Sequence, residues 1–215
     1  MHVAIFAGGE FKPGRAFHEA IASADLIIAA DSGAATALQY GCSPAIVVGD
    51  FDSLDPLVLQ KLSERGSQIR QVAVEKDETD TELAVQAAIE QGATSITLLG
   101  AINGARVDHT MANILLLASF ESVSMWIVDG PSTCRIVRGP GSSAIDGQVG
   151  DMVSLLPLTS DARGVRTQGL YYPLNEVTLY FGKPRGVSNV LIEKHAEVIV
   201  EGGMLLVIHM DAQEL

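Results

Sequence analysis

Positive charge is scarce in this chain: 14 Lys and Arg stand against 26 Asp and Glu in 215 residues, a formal net charge of -12. An acidic surface is repelled by the backbone of a nucleic acid and by an anionic membrane, so neither is the expected partner and small molecules are. Cysteine is nearly absent as well. Cys42 and Cys134 stand far apart without metal-ligand spacing, and the chain starts directly in a strand-like run with no signal peptide, which together predict a reducing, cytoplasmic setting. Long apolar runs are missing too. Ile114-Leu115-Leu116-Leu117-Ala118 is among the longest and falls far short of the ~20 residues of a membrane span, so no membrane anchor is expected. What the chain does have is 47% apolar residues, enough for a substantial core in one large or two small domains.

The apolar residues come in runs that read as buried strands, and acids stand behind them. Ala45-Ile46-Val47-Val48 leads into Gly49-Asp50-Phe51-Asp52-Ser53, and Leu26 to Ala30 leads into Asp31. Val72-Ala73-Val74 precedes a loop carrying Asp77 and Asp80, and Ile96 to Leu99 precedes a glycine-rich loop that reaches Asp108. In an open α/β sheet, ligands bind in the crevice beyond the carboxyl ends of the strands, so these carboxylates should converge. Converging carboxylates repel one another and call for a cation. Magnesium takes oxygen ligands and shares them between carboxylates and substrate phosphates, so the pattern predicts a magnesium nucleotide site.

Taken in order, His2 to Ala7 predicts a strand, followed by Gly8-Gly9 and a helix from Arg15 to Ala24. The Gly9 to Gly14 spacing imitates a Walker A loop, but Arg15 and Ala16 stand where that loop needs Lys and then Ser or Thr, which rules it out. The glycines either turn the chain or bring backbone N–H groups to a phosphate. Asp31 is either the cap of a short helix, Ala34 to Tyr40, or a site residue. Asp55-Pro56 opens another helix that stops at Gly66. Thr79 and Glu82 have capping-box spacing at the start of a helix that ends before Gly92, and Glu78 and Glu82 complement its dipole. Asp77 and Asp80 are different, because they add charge beside Asp50 and Asp52 where stability alone would not ask for it.

The loop before the next helix, predicted from Thr110 to about Phe120, holds glycines, Arg106 and Asp108, a composition suited to a polyphosphate. His109 is assigned no chemistry. A strand from Val123 to Val128 follows, and after Asp129 helical periodicity stops. Short alternating runs recur instead, at Cys134 to Val137, Met152 to Leu156, Val165 to Thr167, Val177 to Phe181, Val190 to Glu193, Glu197 to Glu201 and Leu205 to Met210. The expected fold class is therefore α/β: a Rossmann-like, open, mostly parallel sheet domain over residues 1–130, then an antiparallel β-sandwich over 131–215.

Five short motifs in order resemble the thiamine pyrophosphokinase (thiamine diphosphokinase) family: Ala30-Asp31-Ser32-Gly33-Ala34, Gly49-Asp50-Phe51-Asp52-Ser53, Lys76-Asp77-Glu78-Thr79-Asp80, Arg106-Val107-Asp108-His109 with Asn113, and Ser188-Asn189. The resemblance implies transfer of pyrophosphate from ATP to the hydroxyl of thiamine, leaving AMP, with magnesium as cofactor. Asp50, Asp52 and Asp80 would then hold the metal, and Asp80 or Asp108 would take the hydroxyl proton. Asp31, Gly33, Asp77, Thr79, Arg106 and Asn113 would serve the nucleotide, and Tyr172, Ser188 and Asn189 the thiamine. A homodimer is also implied, with the β domain of one subunit completing the site of the other. The chain departs from the family pattern at Ala105, where a second glycine is usual, and at Tyr172, which stands where animal relatives have a Trp. Two other readings of the same residues stay open: a pyrophosphokinase for another heterocyclic alcohol, such as a pterin, and a magnesium-nucleotide-binding module without catalysis.

Overall fold

The apolar runs of the N-terminal half pair side by side as a parallel sheet. The computed structural model describes residues 1–215, and the chain divides into two units, Met1–Gly130 and Pro131–Leu215. The first unit runs β1 (His2–Phe6), α1 (Arg15–Ser23), β2 (Leu26–Ala30), α2 (Gly33–Gln39), β3 (Ile46–Gly49), α3 (Pro56–Glu64), β4 (Gln68–Gln71), α4 (Asp80–Glu90), β5 (Ser95–Leu99), α5 (Val107–Leu116) and β6 (Ser124–Asp129). Its strands lie in the order β4-β3-β2-β1-β5-β6, and each pairs in parallel with its neighbours. Crossover helices cover both faces of such a sheet, which is why β1, β3 and β5 are so thoroughly buried. From β1 the chain steps one way as far as β4, then returns to the other side of β1 for β5 and β6. That reversal makes a topological switch point between β1 and β5, where the loops part and leave a crevice.

The loop after β1 is anchored by aromatic packing. Phe11 in this loop meets Phe17 of α1 with ring centroids 4.5 Å apart and Phe6 of β1 at 6.5 Å, with Tyr40 at 5.3 Å. Phe6 and Phe17 are fully buried, each contributing about 1.5–3 kcal/mol. The helix starts obey local rules: Asp55 accepts the Leu57 N–H at α3, and Thr79 accepts the Glu82 N–H at α4.

Two elements differ from their sequence pattern. Val72–Val74 is not a strand; the edge strand β4 lies earlier, at Gln68–Gln71, and Val74 is exposed. An edge strand is only partly covered, so ladder pairing with β3 rather than apolar content decides where it forms. Helix α5 begins at Val107, a turn earlier than its apolar pattern suggests, so Asp108 and His109 belong to its first turn and not to the preceding loop.

The second unit contains β7 (Ser132–Arg138), β8 (Gly141–Asp146), β9 (Met152–Pro157), β10 (Ala162–Gln168), β11 (Val177–Leu179), β12 (Asn189–Val190), β13 (His195–Val200) and β14 (Met204–Met210). They form two antiparallel sheets, β12-β9-β14-β7 and β11-β10-β13-β8. Both sheets send residues into one core, among them Val137, Leu155 and Leu205 from the first and Ile145, Val165 and Val198 from the second. This is a β-sandwich. Strand β8 has no apolar alternation to announce it, and its ladder with β13 from His195–Asp146 to Val200–Gly141 creates it. No helix of the chain is long and apolar enough to cross a membrane.

A buried carboxylate ties the end of this sandwich together. Asp151 Oδ1 accepts the Ala212 N–H at 3.0 Å, and Oδ2 accepts the Gln148 N–H at 2.8 Å and lies 2.9 Å from Nε2 of His209. Burial alone would raise its pKa, but the two N–H groups and His209 outweigh it and the pKa falls below the ordinary carboxylate value. A depressed folded-state pKa stabilises the fold above the unfolded value of ~3.9, and that stabilisation fades as pH falls through the folded value. Asp151→Asn should therefore lower stability at pH 7 by about 1–3 kcal/mol. The gap to the wild type should narrow in denaturant titrations as pH drops below about 4. A gap that widens on acidification would contradict this.

Candidate active site

The carboxyl ends of β2 and β3 bring the acids together. Asp31 follows β2 and takes a left-handed backbone conformation, φ 45°. Gly49 lies against it: a Cβ there would sit 3.1 Å from both Cα and Cβ of Asp31, so a side chain at this position would press the two loops apart by a few tenths of an ångström. Asp31 caps no helix. Its Oδ2 accepts a hydrogen bond from the Ser53 hydroxyl, and its Oδ1 is buried without a hydrogen bond. Carboxylate oxygens of Asp31, Asp50 and Asp52 all lie within 4.8 Å of one another.

Lys76, on the loop before α4, holds this cluster to Asp80. Its Nζ lies 3.3 Å from Asp50 Oδ2 and 3.1 Å from Asp80 Oδ1, and the ammonium and the Asp50 carboxylate are both mostly buried. Burial opposes the Lys76 charge, yet hydrogen bonds to Asp80 and Asp50 prevail and its pKa rises. The N–H of Asp52, followed by Lys76, lowers the pKa of Asp50. The charge of Asp50 in turn raises that of Asp52, while burial raises that of Asp80. An all-oxygen, anionic donor set with a buried unpaired oxygen fits a hard divalent cation, and it does not fit a soft metal that needs thiolate or imidazole.

Two cavities adjoin the cluster. The smaller, about 200 Å³, is lined by Asp31, Lys76, Thr79 and Asp80 together with Gly8 and His109. The larger, about 350 Å³, opens at the switch point between β1 and β5, with walls of Gly8–Glu10 and Gly100–Ala101 main chain, and with Ser53, Arg106 and Asn113. Gly8 and His109 line both. Arg106 and Asp108 form an exposed ion pair, with Nε of Arg106 2.9 Å from Oδ1, and the guanidinium holds the Asp108 carboxyl far below the usual range. Asn113 is buried and donates to the Ala101 carbonyl at 2.8 Å. Thr79 uses its side-chain oxygen to cap α4. Gly33 opens α2 and lines neither cavity, and Asp77 is exposed and lines neither.

In the second unit, Tyr171 and Tyr172 stand edge to face, ring centroids 4.9 Å apart, and each is 63% exposed. Asn189 clamps this pair from beneath. Its Oδ1 accepts the Tyr172 N–H at 2.9 Å and its Nδ2 donates to the Tyr172 carbonyl at 2.8 Å. Ser188, beside it, takes φ 61° and donates its N–H to the buried Ser154 hydroxyl at 3.1 Å. The amide of Asn189 is thus spent on the main chain of Tyr172. Sequence reasoning passed over Lys76, Ser53 and His109 as site residues. Lys76 had a signal, the i, i+4 spacing to Asp80, whereas Ser53 meets Asp31 only through the fold.

A parallel sheet with a glycine-walled crevice at its switch point and a carboxylate cluster beside it makes the class of site that suits a nucleotide together with a divalent metal. Comparison with known proteins narrows this. The profile of the thiamin pyrophosphokinase catalytic domain matches residues 17–128, and that of the thiamin pyrophosphokinase vitamin B1 binding domain matches residues 143–205. The chain belongs to the thiamin pyrophosphokinase family. It is 28% identical over 186 residues to the thiamine pyrophosphokinase of Bacillus subtilis (strain 168), covering 85% of this chain and 86% of that one. The crystal structure of a thiamine pyrophosphokinase from Bacillus subtilis matches with a TM-score of 0.86 at 27% identity, over 99% of this chain and 100% of that one. A thiamin pyrophosphokinase from Geobacillus thermodenitrificans matches with a TM-score of 0.83 at 27% identity, over the whole of both chains.

Proposed function

We propose that the protein transfers the pyrophosphoryl group of magnesium-ATP to the hydroxyl of thiamine. The hydroxyl oxygen bonds to the β-phosphorus, the bond from that phosphorus to the α-phosphate oxygen breaks, AMP leaves and the hydroxyl proton is released. The observation that carries this reading is the gathering of Asp31, Asp50 and Asp52 beside the Lys76–Asp80 pair, in a chain of this family. Asp50, Asp52 and Asp80 would hold magnesium, with Asp31 completing the donor set. When bound, the ion supplies positive charge against the phosphate oxygens. Lys76 adds a fixed positive charge at the same place, and Arg106 faces the larger cavity with a guanidinium suited to phosphate. Asn113 holds the Ala101 main chain in place, and Thr79 fixes the start of α4 beside the smaller cavity. Gly33, buried against the Phe6 carbonyl at the end of β1, would serve the nucleotide by letting α2 start close to the sheet, and Asp77 would act from outside both cavities. Asp80 or Asp108 would take the hydroxyl proton.

The acceptor belongs with the second unit, where Tyr172 presents an open aromatic face and Ser188 and Asn189 sit behind it. A thiazolium cation over a Tyr ring gains about 0.5–2 kcal/mol. Tyr172→Ala should accordingly raise the KM for thiamine by roughly 3- to 30-fold and leave that for ATP nearly unchanged. Equal changes in both would detach Tyr172 from the acceptor. Asn189 is the positioning residue for that ring. We further place the enzyme in the cytoplasm as a homodimer whose β-sandwich completes the partner's site. The reaction itself is tested by incubating the protein with magnesium-ATP and a panel of vitamin and pterin alcohols. AMP release with thiamine is expected, release with a pterin alcohol alone would reassign the acceptor, and release with none would leave a nucleotide-binding module.

A further inference from the structure

We propose that Asp129 is the positioning residue of the larger cavity, setting the separation of the β1–α1 and β5–α5 loops at the distance a nucleotide requires. The inference rests on the ATP reading above. Asp129 closes β6 directly behind an apolar run and is 2% exposed. An ionisable group is out of place there. Burial pushes its pKa up, with the amides of Lys12 and Asn103 pulling the other way, and Oδ2 is buried without a hydrogen bond. A carboxylate so costly to bury calls for a local reason.

The two neighbours of Asp129 belong to the two loops. Its Oδ1 accepts the Lys12 N–H at 3.3 Å, and the Lys12 carbonyl accepts the Gly130 N–H at 2.9 Å, so the β1–α1 loop is tied twice to the end of β6. Asn103 lies in the β5–α5 loop. The loops also lock together above this point. The Gly9 N–H donates to the Gly100 carbonyl at 3.0 Å, and a Cβ on Gly9 would stand 2.4 Å from the carbonyl oxygens of Gly100 and Asn103. From that contact, Gly8–Glu10 and Gly100–Arg106 diverge as the walls of the larger cavity, while Asp129 itself is not among its lining residues. Asp129 therefore acts through the loops and touches no reacting group.

Two variants separate this role from a merely structural one. Asp129→Asn differs little in shape and keeps an acceptor for Lys12, but it removes the negative charge that the Lys12 and Asn103 amides favour; Asp129→Ala removes the acceptor as well. Calorimetry with magnesium-ATP alone should show affinity falling about 3- to 10-fold in the first and about 10- to 100-fold in the second, the scale of hydrogen bonds to a charged group. The KM for ATP should rise in step, and that for thiamine should stay within about 2-fold. Unchanged ATP affinity in Asp129→Asn, an equal rise in both KM values, or a loss that only tracks the folded fraction would overturn the proposal. If the alanine variant does not fold, the asparagine variant decides. A wild type that binds ATP but makes no AMP would overturn the reaction and leave this role standing, whereas one that binds no ATP would overturn both.

Discussion

Asp50→Asn and Asp52→Asn should each lower thiamine-dependent AMP release by at least ~10³-fold while the protein stays folded. A thousandfold corresponds to about 4 kcal/mol of lost charge stabilisation, within the range a metal ion contributes at a transferring phosphate. The fold should survive both changes. The two carboxylates are neighbours in a cluster whose third member, Asp31, has a buried unpaired oxygen, and Asp50 already raises the pKa of Asp52 by its charge. A group whose folded pKa is raised stabilises the fold only at low pH, and this contribution is lost as pH rises through the folded value. At neutral pH without metal, Asp52→Asn is therefore expected to melt at or above the wild-type temperature, whereas Asp50→Asn, whose carboxylate is held below its ordinary pKa by the Asp52 N–H and Lys76 and so stabilises the fold when ionised, should melt somewhat below it. Asn at position 50 also keeps an oxygen for the Asp52 N–H, a bond of 3.1 Å in the wild type. Magnesium should raise the melting temperature of the wild type and not of the variants. Wild-type turnover in either variant would remove the metal assignment.

Lys76→Met is expected to have the next largest effect, with opposite signs for stability and metal dependence. The ammonium stands between Asp50 and Asp80 at 3.3 and 3.1 Å, so its loss leaves two partly buried carboxylates without a counter-charge. The cost should be about 1.5–3 kcal/mol without metal near pH 7. Acidification should recover it, because the freed carboxylates take up protons more readily in the folded state than in the unfolded chain. Magnesium should recover it too, by replacing the missing charge, and should stabilise the variant more than the wild type. Turnover should still fall about 10²-fold or more, since a fixed positive charge beside the phosphates is gone. In the wild type, the raised pKa of Lys76 means that its contribution is complete below the unfolded value of ~10.4 and is lost only as pH climbs through the higher folded value. Melting curves across pH with and without magnesium check all of this. A variant as stable as the wild type at pH 7 without metal, and equally responsive to magnesium, would show that Lys76 neutralises nothing.

Much of the architecture was legible in residues alone, because the rules that fix it are local. Short apolar runs such as Leu26–Ala30, and Ile96–Leu99 with Thr97 alone interrupting it, suit strands covered on both faces, and the caps at Asp55 and Thr79 announce their helices through their own N–H partners. The loss of helical periodicity after Asp129 likewise marks the passage to an antiparallel sandwich. Carboxylates behind strand ends were visible as a pattern, since charge placed there has no structural benefit.

What escaped was whatever depends on partners distant in sequence. The edge strand β4 and the Gly- and Ser-containing β8 exist through ladders with β3 and β13, so neither apolar content nor alternation marks them. Asp31 could be read from the sequence as a cap or as a site residue, and the approach of Gly49 and Ser53 from the next strand's loop makes it a member of the acid cluster. Asn189 engages the Tyr172 main chain with both ends of its amide, a contact between residues 17 positions apart that no local pattern announces. Asp129 ended an apolar run with no motif around it, and Lys12, more than a hundred residues earlier, is what its oxygen meets. The sequence by itself determined the order of layers and the supply of acids, because periodicity and capping act within a few residues. Which acids stand together, which charge lies between them and which loops wall the cavity were decided by the tertiary structure, because hydrogen bonds and Coulomb forces act over a few ångströms in space whatever the distance along the chain.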